Sequence, residues 1–407
     1  MKYLATLFIL LIIIGCKVYD AQPYDFPKPV DTTTKTIEYQ EKKTYAINGI
    51  YASNEFDGAR LNDFTEVEKG KIYAAAISPE NTPINISPYY AFKIWSDQPA
   101  TIQLRLIYPY EKAKHRYYPK ISKDGTTWTS FPKDRIELID DSTNAQLTLD
   151  LSRDTLWVAA QEVQNTTHVK NWCVKKAKHS DVTLTSIGKS KLEKELWLLD
   201  IGKGENLKKD VIVILSRQHP PEVTGYFAMQ AFIDEILTDN PLANDFRKKY
   251  RILVYPLMNP DGVDLGHWRH NAGGVDLNRD WAYYHQPENR TIANHVVRTA
   301  TENKSNVILG LDFHSTWYDV YYTNKSVPKH IPRFKDYWLQ GIHEAIGEEI
   351  NEKPSNVGGP VSKGWFHTQF GAVGVTYEIG DETPRDYIKV KGKTAATEMM
   401  ELLIFKN

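Results

Sequence analysis

The chain has 407 residues, of which 41% are apolar and 25% charged, and its 50 basic and 51 acidic side chains leave a formal charge of −1. That balance excludes a strong electrostatic pull on nucleic acid, and the composition is that of an ordinary soluble protein. The length exceeds one average domain, so two are expected.

The elements follow in chain order. Lys2 precedes an apolar run, Tyr3 to Ile14, which is too short for a membrane span and fits a signal-peptide core. It ends in Ile13-Ile14-Gly15-Cys16, which resembles a bacterial lipobox. The resemblance implies a signal peptide over 1–16, cleavage before Cys16 and a lipid on its thiol. The expected location is then the cell envelope, membrane-anchored, periplasmic or at the cell surface. An ordinary signal sequence with an incidental cysteine is the alternative. Only Cys173 then remains, so no intramolecular disulfide is possible, and Cys173 between Trp172 and Val174 reads as a packing residue. Residues 17–45, rich in Pro, Asp, Thr and Lys, read as a tether.

Residues 46–163 read as an all-β sandwich domain. Tyr90 to Trp95, Thr101 to Ile107, Ala145 to Leu151 and Thr155 to Ala159 are short runs, several of which alternate apolar with polar. Asp124-Gly125 marks a hairpin turn. Tyr108, Tyr110, Tyr117, Tyr118 and Trp128 form either a binding face for glycan or peptide or, as preferred here, core and ordinary surface. From residue 166 to 407 the pattern changes. Val182 to Ile187, Leu196 to Ile201, Val211 to Leu215, Ile252 to Leu257 and Val307 to Leu311 are β-branched or leucine-rich runs. Helical patterns over Val223 to Leu237, Ile292 to Thr301 and Tyr337 to Ile350 lie among them. This predicts an α/β domain whose mixed sheet carries helices on both faces.

Two strand ends carry metal-ligand chemistry. His219-Pro220-Pro221-Glu222 joins a buried strand to a helix, so a histidine and a carboxylate three residues apart can turn toward one ion. Asp312-Phe313-His314-Ser315 ends another apolar run and offers a third ligand. Three protein ligands leave one zinc position open, which is the catalytic pattern. Other segments stand out: Asn259-Pro260-Asp261-Gly262, Trp268-Arg269-His270, Gly274-Val275-Asp276-Leu277-Asn278-Arg279 and Thr376-Tyr377-Glu378.

In this order, H-x-x-E, N-P-D-G, W-R, G-V-D-L-N-R, D-x-H-S and T-x-E, the motifs resemble the zinc metallocarboxypeptidase (funnelin) family. With Ser87-Pro88-Tyr89-Tyr90-Ala91-Phe92 upstream, the cytosolic-carboxypeptidase-like branch is the most similar. The resemblance implies one zinc per chain, held by His219, Glu222 and His314. It implies that Glu378 is the general base toward water, that Arg269 polarises the scissile carbonyl, and that Asp276 supports the first histidine. It further implies that Asn278 and Arg279 clamp the free C-terminal carboxylate of a peptide substrate. Aligning Trp365 with the family's usual tryptophan puts Lys363 at the base of the side-chain pocket, where it would favour an acidic terminal residue. The family's mobile-loop tyrosine has no counterpart in Lys353 to Pro360, and Tyr318, Tyr321 and Tyr322 remain as candidates. Pro221 stands where the branch usually has glycine. His267 and His270 read as polar loop residues. The expected activity is release of a C-terminal residue. The alternatives are amidohydrolysis of a cell-wall stem peptide, or a peptide- or glycan-binding lipoprotein that has lost activity, against which intact Glu378 and three ligands argue.

Overall fold

In the computed structural model residues 19–405 are described. The signal-peptide and lipobox readings, Cys16 included, lie outside them.

Along Asn144–Leu151 the side chains of Ala145, Leu147, Leu149 and Leu151 are buried while those between face outward. Such period-two patterning builds a sheet with one wet face. The first domain has eleven strands: β1 (Thr44–Ile47), β2 (Ile50–Ser53), β3 (Asp63–Glu68), β4 (Ile72–Ala76), β5 (Ala91–Ser96), β6 (Ala100–Ile107), β7 (Lys120–Ser122), β8 (Thr129–Ser130), β9 (Ile136–Ile139), β10 (Asn144–Leu151) and β11 (Leu156–Ala159). They form two sheets, β1-β2-β5-β11-β7-β8 and β3-β4-β6-β10-β9. The core between them includes Phe92, Ile94, Leu104, Leu147, Tyr108 and Tyr117, so these two tyrosines are packing residues. The turn between β7 and β8 is held by Asp124, whose carboxylate accepts the amides of Thr126 and Thr127 at 2.8 and 2.7 Å.

The second domain begins with α1 (Thr166–Lys176), on which Cys173 is buried. There follow β12 (Val182–Lys189), β13 (Glu195–Ile201), β14 (Asp210–Ser216), α2 (Val223–Ile236), α3 (Pro241–Lys249), β15 (Tyr250–Tyr255), α4 (Pro260–Asp264), α5 (Pro287–Glu302), β16 (Val307–Thr316), β17 (Val320–Asn324), α6 (Phe334–Ile346), β18 (Glu352–Ser355), α7 (Ser362–Phe370), β19 (Val373–Gly380) and α8 (Arg385–Phe405). The strands make one mixed sheet, β12-β13-β15-β14-β16-β19-β17-β18. Its centre, β15-β14-β16-β19, is parallel. Apolar clusters cover both faces: α2, α6 and α8 contribute to one, and α5 and α7 to the other. The predicted α6 overruns at its C-terminus, because Gly347 at φ +70° ends the helix there.

Residues 19–43 differ from the free tether expected. Residues 19–35 lie along the second domain: Ala21 N–H donates to Asn294 Oδ1 at 3.0 Å, Tyr24 N–H to Ala282 O at 3.1 Å, and Lys35 N–H to Gly273 O at 2.8 Å, whereas residues 38–43 run along the first, with Glu38 N–H donating to Glu80 O at 2.7 Å and Lys43 N–H to Asn54 Oδ1 at 2.8 Å. Ala21, Phe26 and Thr32 are buried. Main-chain bonds and single buried side chains leave no periodicity, so the composition read as a linker. The two domains are also joined by Arg116 to Asp381 at 2.8 Å, Lys120 to Glu382 at 2.7 Å and Arg385 to Glu162 at 2.7 Å.

Candidate metal centre and active site

The carboxyl ends of parallel strands open a crevice where α/β proteins bind ligands. Here β14 and β16 are parallel neighbours with Ser216 opposite Phe313, so the turn after β14 and the end of β16 meet. That turn carries His219, and Glu222 is the N-cap of α2. Pro221 therefore precedes the cap and is not in the first helical turn. A carboxylate at a helix N-terminus is favoured by the helix dipole. Gly225 lets α2 sit close against β16, since a β-carbon there would come within 2.2 Å of the His314 carbonyl oxygen.

The ligand atoms of His219, Glu222 and His314 lie within 4.8 Å of one another. His219 Nδ1 is 2.7 Å from Glu222 Oε1, and His314 Nδ1 is 2.6 Å from Glu222 Oε2 without hydrogen-bond geometry. The opposite ring nitrogens rest on carboxylates: His219 Nε2 on Asp276 Oδ1 at 2.8 Å, and His314 Nε2 on Asp312 Oδ2 at 2.8 Å. Each aspartate thus fixes the tautomer that leaves Nδ1 with a lone pair. Two such nitrogens and a carboxylate then face one point, and this donor set fits a borderline cation such as zinc. Burial opposes charge on His314, but the Asp312 and Glu222 carboxylates outweigh it and hold the imidazole well above its ordinary range.

Glu378 is the direct partner of His314 in the β16–β19 register. It is half-buried, and its enclosed Oε2 has no hydrogen-bond partner. Burial and the neighbouring Glu222 charge push its carboxyl up to about 7. Asp276 ties the site together. Its Oδ2 accepts Arg269 Nε at 2.7 Å, with Arg279 NH1 3.8 Å away, and its Oδ1 accepts the Asn278 amide at 2.9 Å. Burial works against this carboxylate, yet Arg269 and His219 hold it well below the usual range. Asn278 Oδ1 accepts the Ser362 amide at 2.9 Å, while the Arg279 guanidinium is about one-third exposed at 35%.

A cavity of about 340 Å³ is lined by His219, Glu222, Arg269, Asn278, Arg279, His314, Lys363 and Glu378. All of the predicted metal, catalytic and substrate-contact residues therefore border one space. Among the three tyrosine candidates, Tyr322 lines it, Tyr321 is buried on Tyr377, and Tyr318 is exposed beside Lys353. His267 and His270 are buried loop residues: His267 Nδ1 is 2.9 Å from His270 O.

Sequence reading missed Asp312, Gln218, Asn85 and Arg116. The signal for Asp312 was present, because residues i and i+2 of a strand share a face and Asp312 precedes His314 by two. Gln218 Nε2 donates to Asp312 at 2.6 Å. Asn85 and Arg116 line the cavity from the first domain, and only domain docking brings them there.

Residues 169–324 match the family model described as zinc carboxypeptidase. Over these residues the chain is similar to zinc carboxypeptidases. The family is zinc-dependent, and the His219–Glu222–His314 cluster lies where such an ion fits. The cytosolic carboxypeptidase 6 of Mus musculus is 32% identical over 136 residues, which is 32% of this chain and 25% of that protein. The chain thus matches only about a quarter of that relative's length. In overall fold it is similar to a metallo-carboxypeptidase from Burkholderia cenocepacia, with a TM-score of 0.74 at 15% identity over 88% of this chain and 100% of the other. A metallo-carboxypeptidase from Pseudomonas aeruginosa, solved with (2-guanidinoethylmercapto)succinic acid, gives a TM-score of 0.70 at 18% identity over 86% and 98% of the two chains. These neighbours extend across the first domain as well as the second. Glu378 and Lys363 lie beyond the span of the family match.

Proposed function

We propose that the protein is a zinc-dependent exopeptidase that hydrolyses the last peptide bond of a peptide with a free C-terminal carboxylate. One zinc per chain is held by His219, Glu222 and His314. The observation that carries this reading is the placement of Glu378 beside His314 in register, facing a cavity whose other wall bears Asn278 and Arg279. Zinc, when bound, supplies a Lewis acid that polarises a carbonyl and lowers the pKa of a water to about 7. The chain's own residues do the rest. Arg279, partly exposed and permanently charged, binds the terminal carboxylate together with Asn278. Arg269, oriented by Asp276, faces the scissile carbonyl and stabilises charge that develops on its oxygen. Glu378 takes the proton of the attacking water and returns it to the leaving amine.

The same reading extends to preference for an acidic C-terminal residue through Lys363. Its ammonium is buried and donates to Asn324 Oδ1 at 3.0 Å, Ser355 Oγ at 3.0 Å and Thr323 O at 3.3 Å, all neutral acceptors. An incoming carboxylate would supply the counter-charge these partners lack. Lipid attachment at Cys16 and an envelope location complete the proposal. Among the described residues no helix is long and apolar enough to cross a membrane. Mass spectrometry of products from a peptide library tests the activity: single C-terminal residues should be released from free-acid peptides. Equal cleavage of amidated peptides would point to an amidase. A Cys16→Ser variant should leave the membrane fraction and take up no labelled acyl chain.

A further inference from the structure

We propose that Glu80, a residue of the first domain, is a positioning residue that sets the aim of Arg269 in the second. This rests on the reading of Arg269 as the group that meets the scissile carbonyl. Glu80 follows β4 and is fully buried. Its Oε2 accepts the Trp268 amide at 2.8 Å, and its Oε1 accepts the amides of Arg269 at 2.9 Å and His270 at 2.6 Å. Three successive main-chain N–H groups on one carboxylate form an anion nest, here filled from the other domain. Burial disfavours that charge, and His267, His270 and the Arg60 guanidinium, with the His270 amide, offset it.

The residues on either side of Arg269 also belong to the first domain's surroundings. The Trp268 ring is buried in that domain's core, its centroid 6.2 Å from Tyr108. His270 Nδ1 is 2.6 Å from Asn81 Oδ1, and Asn81 Nδ2 donates to Gly274 O at 3.1 Å. Only the Arg269 side chain turns back, to place Nε 2.7 Å from Asp276 Oδ2, on the same carboxylate that supports His219. The Arg269 backbone is therefore fixed from one domain while its guanidinium works in the other. A guanidinium that must meet one carbonyl oxygen tolerates little error in the position of its own Cα, since a misplacement of about 1 Å can cost about 10²-fold in rate.

The test uses full-length, zinc-loaded protein. Glu80→Gln keeps the side chain's size but turns an NH₂ toward an amide that needs an acceptor. It should lower kcat by about 10²-fold with KM and zinc content close to wild type, the signature of lost transition-state contact. Amide exchange at residues 268–270 should speed up. Glu80→Asp should recover part of kcat. In the Arg269→Ala background, Glu80→Gln should cost nothing further, because the group it aims is gone. Independent, multiplying losses would overturn the proposal, as would wild-type kcat in Glu80→Gln. Failure of both Glu80 variants to yield folded, zinc-loaded protein would also overturn it, making Glu80 a folding residue. An active Arg269→Ala would instead remove the parent reading, an outcome distinct from additivity in the cycle.

Discussion

The metal corner and the Lys363 corner of the one cavity are built on opposite electrostatic principles. Around His219 and His314 the charges meet counter-charges, Glu378 alone excepted: Asp276 with Arg269 and His219, Asp312 with His314, Glu222 with both histidines. At Lys363 a buried ammonium meets only neutral oxygens. A closed network holds its geometry before any substrate arrives, whereas an uncompensated cation is completed by the substrate. The difference teaches where chemistry and where selection should reside.

The largest effect should follow from breaking the first corner at its reactive member. Glu378→Gln should retain zinc and lose turnover by at least about 10²–10⁴-fold, measured as kcat with metal analysis on the same sample. Its protonation gives a sign as well. Burial and Glu222 raise its pKa toward about 7, so the basic form fills as pH rises, and kcat/KM should climb along an acid limb. Bound zinc, being cationic, moves that limb below 7. A wild-type limb that persists unchanged in a weakly active Glu378→Gln would assign it to another group.

Next in size is the carboxylate clamp. Arg279→Met should cost about 1.5–3 kcal/mol in kcat/KM for free-acid peptides, and the variant should no longer distinguish them from amidated ones. A variant as discriminating as wild type would take the clamp away from Arg279. Somewhat smaller, Asp312→Asn should weaken zinc affinity by about 10–100-fold, read by competition with a chelator. Unaltered affinity would show that the paired-charge picture overstates the contribution of the second carboxylate.

The smallest effect belongs to the second corner. Burial lowers the Lys363 pKa to about 8, so the ammonium is charged below that pH and lost above it. The kcat/KM ratio for peptides ending in Glu over Leu should therefore exceed one at pH 7 and decline as pH rises past 8. Lys363→Arg should keep the ratio high, and Lys363→Asp should turn preference toward Lys and Arg ends. A ratio that is flat with pH and unmoved by either variant would make Lys363 a packing residue.

What the sequence disclosed follows the same division. His219, Glu222, His314 and Glu378 were legible because charged groups at the ends of apolar strands have little reason to be there except chemistry. The long central strands were legible for the same apolar continuity. β1 to β4 were not, being short and bounded by polar turns, and the first turns of α8 were masked by Lys389, Lys391 and Lys393, of which Lys391 is buried. Asn85, Arg116 and Glu80 could not be found by pattern at all, because each reaches the site across a domain boundary.

The docking of residues 19–35 along the second domain has a consequence for reach. Ala21 is already buried and bonded to Asn294. Should Cys16 carry lipid, only the residues between 16 and 21 separate the bilayer from the folded body, a leash of roughly 15–18 Å even when fully extended. An enzyme so moored sweeps a thin shell above the membrane. It would encounter chains that are displayed at that surface or diffuse close to it, and its effective concentration would be set by area and not by volume.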